Sequence, residues 1–186
     1  DRFAAFLQPP PPGSTAPRLQ PDGSPWPAQV GVACRSGLDL VAHSVRAILD
    51  EHPGWVDLAI DVKNAFNTIT RHSFMSVIAE RFQGLWSWAH TLYGSPTELY
   101  VRGADGAPPD VIFSRTGTRQ GCPLGAQFFA LGLHPTLLAI ASALGHDGVL
   151  LAYADDVHIL CPPSVASRIA RLITAPAQFS ELCALR

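Results

Sequence analysis

The sequence predicts an α+β fold in which helices pack against a largely antiparallel sheet. Helical and strand patterns alternate along the 186 residues, without the regular strand-helix-strand units of a doubly wound fold. A tight hairpin is predicted near the end of the chain, at residues 149–160. Hydrophobic residues make up 47% and charged residues 15% of the chain, a balance that is typical of one packed globular domain.

Residues 1–27 depart from this pattern. They contain the run Pro9–Pro12 and four further prolines. Such a composition favours extended or irregular chain over a packed core. We expect a linker or surface segment, with a docking segment for a partner as the alternative.

The first regular elements are predicted between residues 36 and 61. Ser36 and Asp39 match a capping box, and a helix of about four turns then runs to Pro53. Residues 55–61 alternate between apolar and polar side chains, which predicts a strand. That strand ends at Asp61, whose carboxylate lies on the face opposite the apolar set.

Two helical segments and two strands are predicted next. Thr70 is placed to cap a helix that continues to residue 82, and residues 86–93 predict a further apolar helix. Residues 97–101 and 111–114 predict two strands joined by a turn rich in glycine and proline.

A glycine-rich loop at residues 116–125 precedes the longest predicted helix. This helix reaches Leu144 and is expected to bend at Pro135. The hairpin at residues 149–160 follows, and a last helix is predicted from Ser164.

The tip of that hairpin carries two adjacent aspartates, Asp155 and Asp156, between apolar segments. Adjacent carboxylates repel one another and resist desolvation, which predicts a bound cation. Asp61 also ends a strand, and paired strands lie about 4.8 Å apart, so the three carboxylates can converge on one site. Each signal alone is more typical of a turn or cap. Together they favour Mg²⁺ bound beside a substrate phosphate.

The glycine-rich loop carries a second candidate site. Gln120 offers both a donor and an acceptor, and Gly121 and Gly125 allow a ligand to approach the backbone closely. Arg119 is suited to a phosphate or to a template backbone. The alternative is a structural turn with Pro123 at the first helical position.

Three segments, taken in order, resemble the palm motifs of reverse transcriptases: residues 61–67 (DVKNAFN), 119–125 (RQGCPLG) and 153–156 (YADD). The fullest similarity is to the non-LTR retrotransposon branch. It covers roughly residues 28–161. The resemblance implies a polymerase palm, an antiparallel sheet with packed helices, together with part of the fingers. Residues 162–186 would then be the truncated start of the region after the palm.

The resemblance also implies roles for the acidic residues. Asp61, Asp155 and Asp156 would be the catalytic, metal-binding carboxylates, with Asp155 a more direct ligand than Asp156. The backbone carbonyl of Val62 would be a further ligand. The implied cofactor is a pair of Mg²⁺ ions, for which Mn²⁺ is a possible substitute.

By the same resemblance, Phe66 would lie beneath the incoming sugar and select deoxynucleotides by excluding a 2′-hydroxyl. The alternative is that Phe66 is a core residue. Gln120 and Gly121 would bind the incoming nucleotide. Contacts to the template and primer would come from Arg119, Pro123, Gly125 and Tyr153.

The partners implied are an RNA template, a DNA primer and dNTPs. No apolar run approaches the roughly 20 residues that span a bilayer, so no membrane partner is expected. Widely spaced cysteines without a secretory leader favour a reducing, intracellular compartment. A nuclear location is implied by the family alone, and the sequence does not indicate an oligomeric state.

The chain departs from the family in its basic residues. Its formal net charge is −2, whereas binding of nucleic acid favours a basic surface. Neither Arg2 nor Arg18 can be assigned to the basic fingers residues that grip the triphosphate. Lys63 is the only lysine, so the lysine that the family carries after the aspartate hairpin is absent. We therefore expect an incomplete enzyme with little activity on its own.

Two alternatives remain open. An RNA-directed RNA polymerase usually has glycine before its aspartate pair and needs no bulky sugar-selecting residue, so Ala154 and Phe66 argue against it. A domesticated palm that binds nucleic acid or protein without catalysis is disfavoured by the three intact carboxylates.

Overall fold

A computed structural model describes residues 2–9, 28–103 and 107–174. Most of the predicted proline-rich segment and the end of the chain lie outside these residues. The elements follow one another in this order: α1 (Arg2–Leu7), β1 (Ala28–Gln29), α2 (Gly37–Glu51), β2 (Val56–Asp61), α3 (Ala65–Thr68), α4 (Arg71–Arg81), α5 (Trp86–Tyr93), β3 (Thr97–Val101), β4 (Asp110–Ser114), α6 (Gly125–Leu144), β5 (Val149–Tyr153), β6 (Asp156–Cys161) and α7 (Pro163–Thr174).

The main sheet has four strands in the order β1-β5-β6-β2. The short strand β1 pairs in parallel with β5, and the other two pairings are antiparallel. The prediction of an α+β fold with an antiparallel-rich sheet is therefore confirmed. Strand β6 lies at the centre of the arrangement, between the hairpin partner β5 and the strand β2 that ends at Asp61.

One face of this sheet forms the core with the helices. Leu150, Val157 and Ile159 belong to the same buried cluster as Phe74 of α4 and Phe128 of α6. Their side chains project from alternate positions of β5 and β6, so the opposite positions, including Asp156, face away from this cluster. The candidate residues Asp61, Tyr153 and Asp156 thus lie on the face of the sheet that the main core does not occupy.

Helix α6 supplies much of that core. Thirteen of its 20 residues are buried, and Phe128, Phe129 and Leu131 have no exposed surface. By length and composition α6 could cross a membrane, contrary to the expectation that no apolar run approaches this length. The expectation was wrong because α6 contains no charged residue, so its mean hydropathy stays high although polar side chains interrupt the apolar ones. Because 67% of an apolar 18-residue stretch of α6 is buried within the fold, α6 has the burial of a core helix.

Strands β3 and β4 form a separate two-stranded sheet. Both predicted strands are confirmed, and Leu99 pairs with Ile112. The hairpin exposes six large apolar side chains: Leu99, Tyr100, Val101, Val111, Ile112 and Phe113.

Several local expectations differ from the structure. The capping box at Ser36 is wrong, since Ser36 has φ of 54° and makes no side-chain cap hydrogen bond. Thr70 does precede α4, but its side chain makes no cap hydrogen bond either. Helix α1, strand β1 and helix α3 were not predicted. Helix α1 is explained by packing, because Leu7 is fully buried and Phe3 stacks on Phe82 at 4.9 Å between ring centroids.

Candidate active site

The strand pairing brings two of the predicted carboxylates together. Asp61, the last residue of β2, lies directly opposite Asp156, the first residue of β6. Directly opposite residues in an antiparallel pair are roughly 4.5–5.5 Å apart between Cα atoms and project from the same face. Tyr153, at the end of β5, is the other neighbour of Asp156 in the sheet.

Asp155 lies in the tight turn between β5 and β6. The preceding residue, Ala154, has φ of 53°, the left-handed conformation that allows the chain to reverse within two residues. Asp155 is half-buried, whereas Asp61 and Asp156 are exposed. The register thus places Asp156, rather than Asp155, opposite Asp61.

The chain after β1 packs directly beneath this turn. Val30 donates a backbone hydrogen bond to the carbonyl of Ala152 at 2.8 Å. A Cβ atom at Gly31 would lie 2.4 Å from the backbone nitrogen of Ala154, so a side chain there is sterically excluded. At Gly37 the excluding atom is the Val30 carbonyl oxygen, which would lie 2.0 Å from a Cβ atom. Gly31 therefore lets the chain after β1 pack closely against the aspartate turn.

The segment after Asp61 turns into helix α3. The Val62 carbonyl accepts a hydrogen bond of 3.1 Å from the N–H of Ala65, which leaves one lone pair for another ligand. Asn64 adopts φ of 55° to start the helix. This turn places Phe66 against α6, where its ring stacks on Phe129 with centroids 4.3 Å apart and an interplanar angle of 20°.

Phe66 and the glycine-rich loop line one cavity of about 240 Å³. Gln120 and Gly121 contribute to its wall, together with Cys122 and Gly125. Gly121 has φ of 80° and nothing near its missing side chain, so the conformation explains the glycine. The structure thus brings Phe66 together with Gln120 and Gly121 around one cavity.

Hydrogen bonds hold the loop against α3. Gly117 donates to the carbonyl of Ile69, and Thr118 donates to the carbonyl of Phe66, both at 2.8 Å. Gly117 has φ of 73°, and a Cβ atom there would lie 2.5 Å from the Phe66 oxygen. The cavity wall is therefore joined by backbone contacts to the residue proposed to select the sugar.

Arg119 does not point into open solvent. Its guanidinium donates to the hydroxyl of Thr97 and lies 5.5 Å from the centroid of the Tyr93 ring. Its backbone N–H donates to the Tyr93 hydroxyl at 3.1 Å. Burial and the neighbouring Cys122 thiol raise the pKa of Tyr93 to about 12, so this hydroxyl remains protonated.

Pro123 is exposed and precedes the helix by two residues, so it does not occupy the first helical position. Gly125 opens α6, and a Cβ atom there would lie 3.2 Å from the Arg119 carbonyl. The roles of both residues at the template or primer remain predictions.

The donor set at the strand ends fits a hard divalent cation. Asp61, Asp155, Asp156 and the Val62 carbonyl supply only oxygen atoms, which Mg²⁺ prefers. Across the described ranges, no three His, Cys, Asp or Glu residues form a group that could hold a metal ion. Mg²⁺ keeps several water ligands and is commonly held by one or two carboxylates together with substrate phosphates. The chemistry of the in-register pair Asp61 and Asp156 is therefore suited to Mg²⁺.

One further hydrogen-bonded pair of polar side chains lies on the same face of the sheet as Asp61 and Asp156. His158 Nδ1 and the Asp57 Oδ2 atom are 2.8 Å apart. The register pairs His158 with Ala59, one step further along the face from Asp61 and Asp156. Because residues of a strand alternate between its faces, the sequence alone places Asp57 and Asp61 on the same face of β2. The partner of Asp57, His158, lies 101 residues further along the chain, so only the strand register reveals it.

The structure holds a strand-end carboxylate pair and a cavity bounded by an aromatic ring and a glycine-rich loop. These are parts that a template-directed nucleotidyltransferase needs. The family model for reverse transcriptase (RNA-dependent DNA polymerase) matches residues 15–182, and the chain belongs to this family. Comparison with curated proteins gave no match. The family transfers nucleotides onto a primer bound to a nucleic acid template and generally uses divalent metal ions.

Proposed function

We propose that this chain carries the palm and part of the fingers of an RNA-directed DNA polymerase of the non-LTR retrotransposon type. Residues 28–161 would form that unit, which extends a DNA primer on an RNA template with dNTPs. The observation that carries the proposal is the register of β2 and β6, which sets Asp61 opposite Asp156 at the end of the sheet. The family match supports the polymerase activity.

In the proposed reaction the primer 3′-hydroxyl attacks the α-phosphorus of the dNTP. A new O–P bond forms, the bond to the pyrophosphate oxygen breaks, and the hydroxyl proton passes to solvent. Two Mg²⁺ ions, when bound, would stabilise the attacking and leaving oxygens. Asp61, Asp155 and Asp156, with the Val62 carbonyl, would hold them, Asp155 as a more direct ligand than Asp156. Tyr153 would support the primer end beside Asp156.

The cavity between Phe66 and the loop is proposed to hold the base and sugar of the dNTP. Phe66 is suited to select the sugar because its ring is fixed by stacking on Phe129 and its carbonyl by Thr118. A fixed ring cannot move aside for a 2′-hydroxyl, whereas a mobile one can. Gln120 is exposed at the rim, where its amide can reach the incoming nucleotide.

Primer extension tests the function directly. The protein expressed from its complete reading frame is incubated with a labelled DNA primer, dNTPs and Mg²⁺, on matched RNA and DNA templates. Extension on RNA that stops when Mg²⁺ is chelated supports the proposal. Extension that persists without a divalent ion, or that occurs on DNA but not on RNA, contradicts it.

A further inference from the structure

Arg71, at the start of α4, is buried although it carries a long cationic side chain. Only 8% of its surface is exposed. Arginine is rarely buried unless its donors are satisfied. Its Nε donates to the carbonyl of Gly117 at 3.2 Å, and its Nη1 donates to the carbonyl of Ser95 at 3.3 Å. Its Nη2 donates to the Ser114 hydroxyl at 2.8 Å and to the carbonyl of Thr116 at 3.3 Å.

The four acceptors come from two stretches of the chain, Ser95 and residues 114–117. Ser95 precedes β3 and Ser114 ends β4, so they lie at the base of the exposed hairpin. Thr116 and Gly117 open the glycine-rich loop. All four acceptors are neutral oxygens, so this guanidinium is held by directed hydrogen bonds. The rigid fork of arginine can donate in several directions at once, which the single ammonium of lysine cannot reproduce.

The loop is held from two sides at the same residue. Gly117 donates its N–H to Ile69 while its carbonyl accepts from Arg71. The next residue, Thr118, is 4% exposed, lines the nucleotide cavity and donates to the carbonyl of Phe66. The position of the Gly117 peptide therefore fixes where the cavity wall begins.

A second guanidinium lies close by. Arg71 lies 5.4 Å from the centroid of the Tyr93 ring, and Arg119 lies 5.5 Å from the same centroid. Burial, and then the charge of Arg119, lower the pKa of Arg71. The charged form of Arg71 is therefore electrostatically disfavoured at this position. Its hydrogen bonds to the hairpin base and to the loop offset that cost.

We propose that Arg71 is a positioning residue for nucleotide binding, which joins the base of the hairpin to the loop and thereby sets the width of the cavity beside Phe66. The inference rests on the proposed function in one respect, that the cavity holds the dNTP. Arg71 touches neither the carboxylates nor the cavity directly. It acts through the carbonyls of Thr116 and Gly117.

Arg71→Lys and Arg71→Gln test the proposal, with Arg81→Gln as the matched control. Arg81 lies at the other end of the same helix, is exposed and contacts Glu80. In both Arg71 variants the KM for dNTP is expected to rise roughly tenfold, because several hydrogen bonds to the loop and hairpin are lost. The kcat and the affinity for primer-template are expected to stay within about twofold.

Amide hydrogen exchange supplies a readout that does not need activity. The amides of Gly117 and Thr118 are expected to exchange at least tenfold faster in Arg71→Lys, while the amide of Ile159 in β6 keeps its wild-type rate. Arg81→Gln should change neither.

If amide exchange accelerated equally in the loop and in β6, Arg71 would act on general stability alone and the proposal would be overturned. Unchanged amide exchange at Gly117 and Thr118 would overturn it as well, and so would an unchanged KM for dNTP in a variant whose loop amides exchange faster. If the wild-type protein made no DNA, the proposed function would fail, and the exchange comparison would still decide whether Arg71 positions the loop.

Discussion

Replacing Gly31 with alanine is expected to displace the turn that carries Asp155 and to slow nucleotide incorporation about 100-fold. The new Cβ atom would lie 2.4 Å from the backbone nitrogen of Ala154 and 3.2 Å from the carbonyl carbon of Tyr153. Ordinary contacts begin at 3.4 Å. The chain at residue 31 and the chain at residues 153–154 must therefore separate by roughly 1 Å. Because the overlapping atoms at residues 153 and 154 belong to the backbone, no side-chain rotation relieves the overlap. A displacement of that size at reacting groups costs on the order of 100-fold in rate.

Single-nucleotide incorporation under saturating dNTP measures this effect, and urea unfolding of the same variant measures its stability. Overpacking is expected to lower the free energy of unfolding by about 1–3 kcal/mol. Gly54→Ala is the matched control, since a Cβ atom there has no neighbour within 4 Å, and it should leave the rate unchanged. A Gly31→Ala protein that incorporates nucleotides within twofold of the wild-type rate would refute the packing argument.

Two further predictions concern Phe66 and His134. Phe66→Ala should increase incorporation of ribonucleotides relative to deoxynucleotides by about tenfold or more, because the ring excludes a 2′-hydroxyl by size. Phe66→Tyr keeps the bulk of the side chain and should remain selective for deoxynucleotides. Unchanged selectivity in the alanine variant would show that Phe66 does not select the sugar. Burial lowers the pKa of His134 from 6.5 to about 4, so as pH falls below 6.5 the unfolded chain takes up a proton that the folded chain excludes. Because of His134, the free energy of unfolding measured in urea should fall by about 2–3 kcal/mol between pH 7 and pH 4.5. His134→Gln should not show this loss. Equal pH dependence of the free energy of unfolding in the two proteins would contradict this account.

The strand ends and the loop are predictable from sequence because short patterns encode them. Alternation over residues 55–61 fixes where β2 ends, and the flanking apolar residues fix the hairpin around Asp155. Antiparallel pairing then brings strand ends together. What periodicity cannot give is the register. It sets Asp156 opposite Asp61, and a slip of one residue would have reversed the faces.

The supporting contacts were not predictable for the same reason. From sequence, Arg71 is only a polar residue at the start of a predicted helix, since its acceptors at Ser95 and Ser114 lie 24 and 43 residues away. Gly31 carries no turn signature, since the atoms that exclude a side chain there come from residues 153 and 154. Likewise, the capping box at Ser36 failed because the preceding chain enters the helix through a left-handed residue. Long-range packing decides each case.

The most direct test of the polymerase assignment is Mg²⁺-dependent incorporation of one dNTP on an RNA template by Asp155→Asn. Asp147→Asn is the control, because Asp147 is exposed in the turn before β5, and its carboxylate lies 3.8 Å from Arg168. The account predicts that Asp155→Asn loses incorporation by at least about 1,000-fold while retaining the wild-type free energy of unfolding, and that Asp147→Asn stays active. Undiminished incorporation by Asp155→Asn would contradict the proposed metal site.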